Sequence, residues 1–173
     1  LYAWDLFRAA EESRVDIVRL LIEQGADAHA SNEYGWRPVH VAAKKNSLDA
    51  ARLLIEHGAE VNVRFPYGST PLTLAAQYNC VDVARFQIEN GADIEDAHKF
   101  WGNTPLHNAA DVDLVRLLLE KGADIQAKNI MGHTPLHEEL STASTIAVAK
   151  QAKTQLRELK RNQRSLAEAV AKE

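Results

Sequence analysis

Four stretches of this chain repeat one arrangement of apolar and polar positions: VDIVRLLIEQ from Val15, LDAARLLIEH from Leu48, VDVARFQIEN from Val81 and VDLVRLLLEK from Val112. Ile17, Leu20 and Leu21 in the first, and Leu114, Leu117 and Leu118 in the fourth, recur at helical spacing. Asp16, Asp49, Asp82 and Asp113 favour a helix start, where a carboxylate complements the dipole. Gly25, Gly58, Gly91 and Gly122 follow the apolar run and suit a left-handed C-cap. The pattern predicts four helices.

A second set of apolar runs alternates with these: GWRPVHVAA from Gly35, GSTPLTLAA from Gly68, GNTPLHNAA from Gly102 and GHTPLHEEL from Gly132. Thr70, Thr104 and Thr134 supply helix N-cap oxygens, and each following proline takes the first helical position, where its missing N–H costs nothing. The pairs Ala42-Ala43, Ala75-Ala76 and Ala109-Ala110 are small enough to let helices approach closely. The triplet Gly-Ala-Asp/Glu at Gly25, Gly58, Gly91 and Gly122 recurs after 33, 33 and 31 residues. Each unit reads as turn, helix, helix, loop. One unit cannot bury its apolar face alone, but stacked units build a shared core.

These residues resemble the ankyrin family, whose pattern has a TPLH-type first helix, an LL second helix, a GAD triplet and a protruding β-hairpin. The resemblance covers about residues 5–140. Residues 5–31 look like a first repeat without TPLH, with Phe7, Ala9 and Ala10 in its first helix; three full repeats follow, and a fifth begins at Gly132. The implied fold is an all-α repeat solenoid of helix-turn-helix units with short β-hairpin loops over 1–140, plus a C-terminal helix in 141–173.

The chain departs from that pattern in places. Arg37 stands where the other repeats carry a capping Thr, and Thr73 replaces a His. Gln87 occupies the register of Leu21, Leu54 and Leu118; buried there, it needs partners or destabilises its repeat. Three residues are missing between Ala110 and Asp113, and one extra lies between Asp93 and Gly102, so a shortened inter-helix turn and an irregular hairpin are expected in that repeat.

From Ile146 the chain has no Gly or Pro and is rich in helix formers. Ala149, Ala152, Leu156, Leu159, Gln163, Leu166 and Val170 form a narrow heptad-like seam, read either as a cap on the solenoid or as a helix pairing with a second copy through 146–170. Charge sharpens the division. Residues 141–173 carry seven Lys/Arg against three Glu, while the other 140 carry thirteen basic and twenty-one acidic groups, an acidic body with a basic tail.

Composition is that of an ordinary globular chain, at 46% hydrophobic and 25% charged residues. No stretch reaches the length of apolar sequence needed to span a bilayer. The chain opens on Leu1 and its single Met is Met131, so a piece of a longer protein is expected. The lone Cys80 points to a reducing setting, hence an intracellular, cytoplasmic or nuclear location.

There is no phosphate-binding loop, nucleophile elbow or Cys/His metal spacing, so no catalytic residue, metal or cofactor is assigned. Pro135 places His133 ahead of the helix that holds His137, which separates this apparent metal pair. The resemblance instead gives His40, His107 and His137 a structural role within and between repeats. Cys80, at a turn between helices, is expected to be accessible. Asn62 in LIEHGAEVN is similar to asparagines hydroxylated in ankyrin repeats, the alternative being an Asn that satisfies the loop backbone.

The resemblance also implies where a partner protein binds: the concave side made by the hairpin tips and the exposed side of the first helices. By register this surface holds Tyr34, Trp36, Tyr67, Phe100, Trp101 and Met131 at the tips, and Lys44, Lys45 and Tyr78 on the helices. Six of the eleven aromatic residues fall in the hairpins. Phe65 and Phe100 have a second reading, as local core under the hairpin. The function expected is non-catalytic protein–protein recognition. The alternatives are a regulatory or targeting segment of a larger enzyme, channel or effector, and a scaffold that self-associates through its tail. Nucleic acid and membrane are not expected partners.

Overall fold

The computed structural model describes residues 2–66 and 68–135, and beyond them residues 150, 154, 157 and 161; side chains are described from residue 5. Eight helices occupy the described residues: α1 (Tyr2–Glu11), α2 (Val15–Glu23), α3 (Pro38–Lys44), α4 (Leu48–Glu56), α5 (Pro71–Gln77), α6 (Val81–Glu89), α7 (Pro105–Asn108) and α8 (Val112–Glu120). The odd-numbered helices pack on one another in chain order and the even-numbered helices do likewise, giving a two-layered solenoid. The core lies between the layers. Leu6, Val18, Val39, Leu54, Leu72, Leu106, Leu114 and Leu118 are buried there, together with Ala42-Ala43, Ala75-Ala76 and Ala109, which bring neighbouring helices close; Ala110 is exposed. Each fully buried leucine contributes on the order of 2 kcal/mol.

The caps follow the chemistry read from the sequence. Thr70 Oγ1 accepts the Thr73 N–H at 3.2 Å, and Thr73 Oγ1 accepts the Thr70 N–H at 2.7 Å, a reciprocal box that Thr73 completes in place of histidine. At α3 His40 Nδ1 accepts the Arg37 N–H at 3.1 Å, so half of the box survives the loss of Thr. The glycines after the even-numbered helices have φ between +84° and +104°. The turns between paired helices use a left-handed residue that is not glycine: Ser13, Asn46 and Asn79, with φ of 54°, 55° and 55°. Asparagine tolerates this region better than most side chains.

The fourth repeat takes the irregular form expected. α7 has only four residues, and Ala109 after it is already extended. Asp111 closes the gap: its carboxylate accepts the N–H groups of Asp113 at 2.8 Å and Leu114 at 3.1 Å. Asn79 of the preceding repeat satisfies the exposed turn, with Oδ1 taking the Ala110 and Asp111 N–H groups at 3.1 and 3.0 Å. A residue from one repeat thus replaces a turn deleted from the next.

Two expectations need correction. Cys80 is buried, at 3% exposure, with Sγ 3.8 Å from the Lys44 carbonyl and 3.6 Å from that of Tyr78. Burial raises its thiol pKa, which keeps it protonated. The loops expected as short β-hairpins contain no strand among the described residues. They are tight turns, each closed by a backbone pair such as Asn32 N–H to the Trp36 carbonyl at 2.9 Å. The expected C-terminal helix and Tyr67 lie outside the described residues, except that Lys150, Thr154, Arg157 and Arg161 are helical.

Candidate partner-binding surface

The four hairpins stack directly on one another. Gly68 has φ +96°, and a Cβ there would lie 2.7 Å from the backbone nitrogen of Lys99 in the next hairpin. The following pair is tied by an Ile130 N–H to the Trp101 carbonyl at 3.1 Å and by Asn129 Nδ2 to Asn103 Oδ1 at 2.9 Å. Arg64 crosses from the second hairpin to the third, donating to the Ala97 carbonyl at 2.9 Å and pairing with the buried carboxylate of Asp96.

The histidines of the first helices add cross-links of their own. His40 Nε2 lies 3.1 Å from the Val63 carbonyl, and His107 Nε2 lies 3.1 Å from that of His133. Thr73 has no ring to make this reach. The Arg64–Asp96 pair links the hairpins at the interface where that reach is missing. His137 lies outside the described residues.

Register explains which tip side chains face outward. Asn32, Phe65, His98 and Asn129 share the base of each turn, and Tyr34, Trp101 and Met131 share the place just before the tip glycine. Asn32 Oδ1 accepts the N–H groups of Tyr34 and Trp36, both at 3.0 Å; Asn129 Oδ1 does the same for Met131 and His133, both at 3.0 Å. These anchored turns hold the tip side chains out. Tyr34 is 61% exposed, Trp101 59% and Met131 63%. Phe65, at the base, is buried. Phe100 gains a tip position because the third hairpin is one residue longer, its closing bond running from His98 to Asn103 rather than over four residues. It is half exposed.

The remaining candidates form a cluster at the centre of the same face. Trp36 is half-buried, its ring 4.9 Å from Phe65 and edge-on to His40. Lys44 Nζ lies between two rings, 5.5 Å from the centre of Trp36 and 5.3 Å from that of Tyr78. Each such cation–ring contact contributes about 0.5–1 kcal/mol at a surface. Lys45 is exposed and lies 3.8 Å from Glu11 on α1. Thus Trp36, Lys44 and Tyr78 meet, Phe100, Trp101 and Met131 gather at the far end, and Tyr34 stands at the near end. Ile130, exposed beside Met131, belongs with the far group, as its place in the same tip implies. The bases Asn32 and Asn129 escaped the sequence reading, although their shared register could have shown them.

The matching family models are ankyrin repeats in three copies over residues 6–98 and a further ankyrin repeat over residues 101–130. The chain belongs to the ankyrin-repeat family. It is 49% identical over 47 residues to ankyrin repeat protein FPV233 of Fowlpox virus (strain NVSL), a match that covers 24% of this chain and 9% of that protein. Ankyrin repeats are in general protein–protein interaction modules, typically without catalysis. Among the described residues no helix is long and apolar enough to cross a membrane, and no group of three or more His, Cys, Asp or Glu could hold a metal ion.

Within this ankyrin solenoid, Asn62 is a stacking residue. Its Nδ2 donates to the Gly91 carbonyl and its Oδ1 accepts the Asp93 N–H, both at 2.9 Å. Glu95 makes the equivalent reach, accepting the Asp124 N–H at 2.7 Å. Both polar groups of the Asn62 amide are therefore engaged by the next GAD loop. Asn62→Ala is expected to lower stability by about 1 kcal/mol, measured by urea unfolding, because two hydrogen bonds in an exposed setting are exchanged for water.

Proposed function

We propose that this ankyrin chain is a non-catalytic module that holds a partner protein on the face made by the hairpin tips and first helices. One observation carries the reading. Of the seven large hydrophobic residues exposed among the described positions, Tyr34, Tyr78, Phe100, Trp101, Ile130 and Met131 lie on this face; Leu20 alone lies elsewhere. Concentrated exposed apolar side chains mark interaction sites, and tryptophan and tyrosine carry a large share of binding energy at interfaces. The second-helix side offers instead a charged row at Arg19, Arg52, Arg85 and Arg116, interspersed with acidic residues.

The matched relative is far longer than the aligned stretch, and the same face would serve a regulatory segment bound to another part of its own protein. That changes who is bound, and leaves the binding face where it is.

Trp101→Ala is expected to weaken partner binding by about 2 kcal/mol, some thirtyfold, as for a central aromatic anchor. Its stability should stay within about 0.5 kcal/mol of the parent, since the exposed ring supports no core. Binding isotherms with a captured partner, beside urea unfolding of both proteins, check this. An Arg19→Ala, Arg85→Ala variant should bind like the parent; if it alone loses binding, the second-helix side is the interface.

A further inference from the structure

The face is chemically different at its two ends. Between α1 and the first hairpin lies an open groove of about 640 Å3 whose lining includes Phe7, Arg8, Glu11, Glu12, Glu33 and Tyr34. Three carboxylates face one guanidinium there. Glu12 is paired with Arg8 at 2.8 Å and Glu11 with Lys45 at 3.8 Å, while Glu33 has no ion pair among the described residues. At the other end the side chains of Phe100, Trp101, Ile130 and Met131 are all more than half exposed. The charge beside them is Lys99, with Nζ 5.9 Å from the centre of the Phe100 ring. The middle is occupied by Lys44, already held between Trp36 and Tyr78.

This polarity selects a ligand by chemistry and by direction. A positive segment gains by lying in the first-repeat groove, where it meets excess carboxylate, and is repelled by Lys99 at the far end. Bulky apolar side chains gain by covering the far tips, where four exposed apolar side chains lie together. We propose that the partner segment is polarised along its length, with Lys/Arg in the first-repeat groove and large apolar side chains over Phe100, Trp101, Ile130 and Met131. The proposal rests on the binding face assigned above and adds the class and orientation of what it takes. The span from the first to the last tip is three repeats, roughly 30 Å at the usual packing distance, which an extended segment of about ten residues covers.

A displayed library of random 16-residue peptides, panned against the full chain, tests this directly. Enriched peptides should place Lys/Arg in one half and Leu, Ile, Phe or Trp in the other. A synthetic representative should lose about tenfold in affinity when its two halves are exchanged. It should lose a similar factor against Glu11→Lys, Glu33→Lys, and weaken as salt is raised. Both substituted positions are exposed, so the variant's folding is readily confirmed by its unfolding curve. Enriched peptides that lose binding on Trp101→Ala but carry no basic half, or ignore the charge reversal, overturn this proposal and leave the binding face intact. Peptides insensitive to Trp101→Ala, or no enrichment at all, count against the binding face as well. A synthetic peptide of residues 150–166 is the second probe. If it displaces the selected peptide at comparable concentration, the chain's own basic tail fits the face as well, and the assignment of the face to a separate partner is overturned.

Discussion

Lowering the pH from 7 to 4 is expected to remove about 3 kcal/mol of folding stability through His40. The ring is fully buried, and burial holds its pKa down at about 4 against an ordinary value of 6.5, with the nearby Arg37 charge acting in the same direction. The bond to the Val63 carbonyl opposes them and loses. Above pH 6.5 the imidazole is neutral in both folded and unfolded chains and nothing is lost. As the pH falls below 6.5 the unfolded chain takes up a proton that the folded ring refuses. Stability therefore declines until about pH 4, where the folded ring also protonates and this contribution levels off. Urea unfolding across this range, on the parent and on His40→Thr, isolates the contribution. Threonine stands at the same register as Thr73, where it completes a box with its own cap residue. The variant should lose the His40 share of the slope; an unchanged slope would mean that other groups carry it.

Gln87→Leu is expected to raise stability by about 2 kcal/mol, the opposite sign from most core substitutions. Gln87 is completely buried in α6, and among the described residues neither Oε1 nor Nε2 has a hydrogen-bond partner. Both groups were hydrogen-bonded to water in the unfolded chain, so folding strips them without replacement. Leucine has a similar volume and occupies the same register at Leu54 and Leu118, where both side chains are fully buried. The gain should appear as a shift of the urea midpoint at constant slope. A loss of stability would show that the amide is in fact satisfied in solution.

Much of this molecule could be read from its sequence because its information is local and repeated. Caps, C-terminal glycines and the 33-residue period all depend on residues within one unit, so each repeat corroborates the next. The deletion before Asp113 was visible by counting, and so was the need of Gln87 for partners. Its failure to find any could not be seen, since that depends on what the neighbouring repeats place opposite it. Cys80 misled for a related reason. Its position at a turn suggested exposure, yet the carbonyls of Lys44 and Tyr78, from one repeat back and from the same turn, lie against its sulfur. The unequal fates of Phe65 and Phe100 follow from register: base of the turn for one, tip of a lengthened turn for the other. The Arg64–Asp96 cross-link is a long-range pairing between ordinary-looking loop residues, and no period announces it.

The face itself was legible as a row of tip positions, and its internal contacts were not. Trp36 and Lys44 were placed on this face by register alone. They meet each other, along with Tyr78, which makes the centre of the face preorganised and leaves the two ends as its open parts.

Site-specific photo-crosslinking of the full chain with its bound partner tests the binding face most directly. A photoreactive phenylalanine at Tyr34, Trp101 or Met131 should give covalent adducts with the partner, and the same group at Arg19, Arg52 or Arg85 should give none. Adducts formed from the second-helix positions and not from the tips would contradict the account.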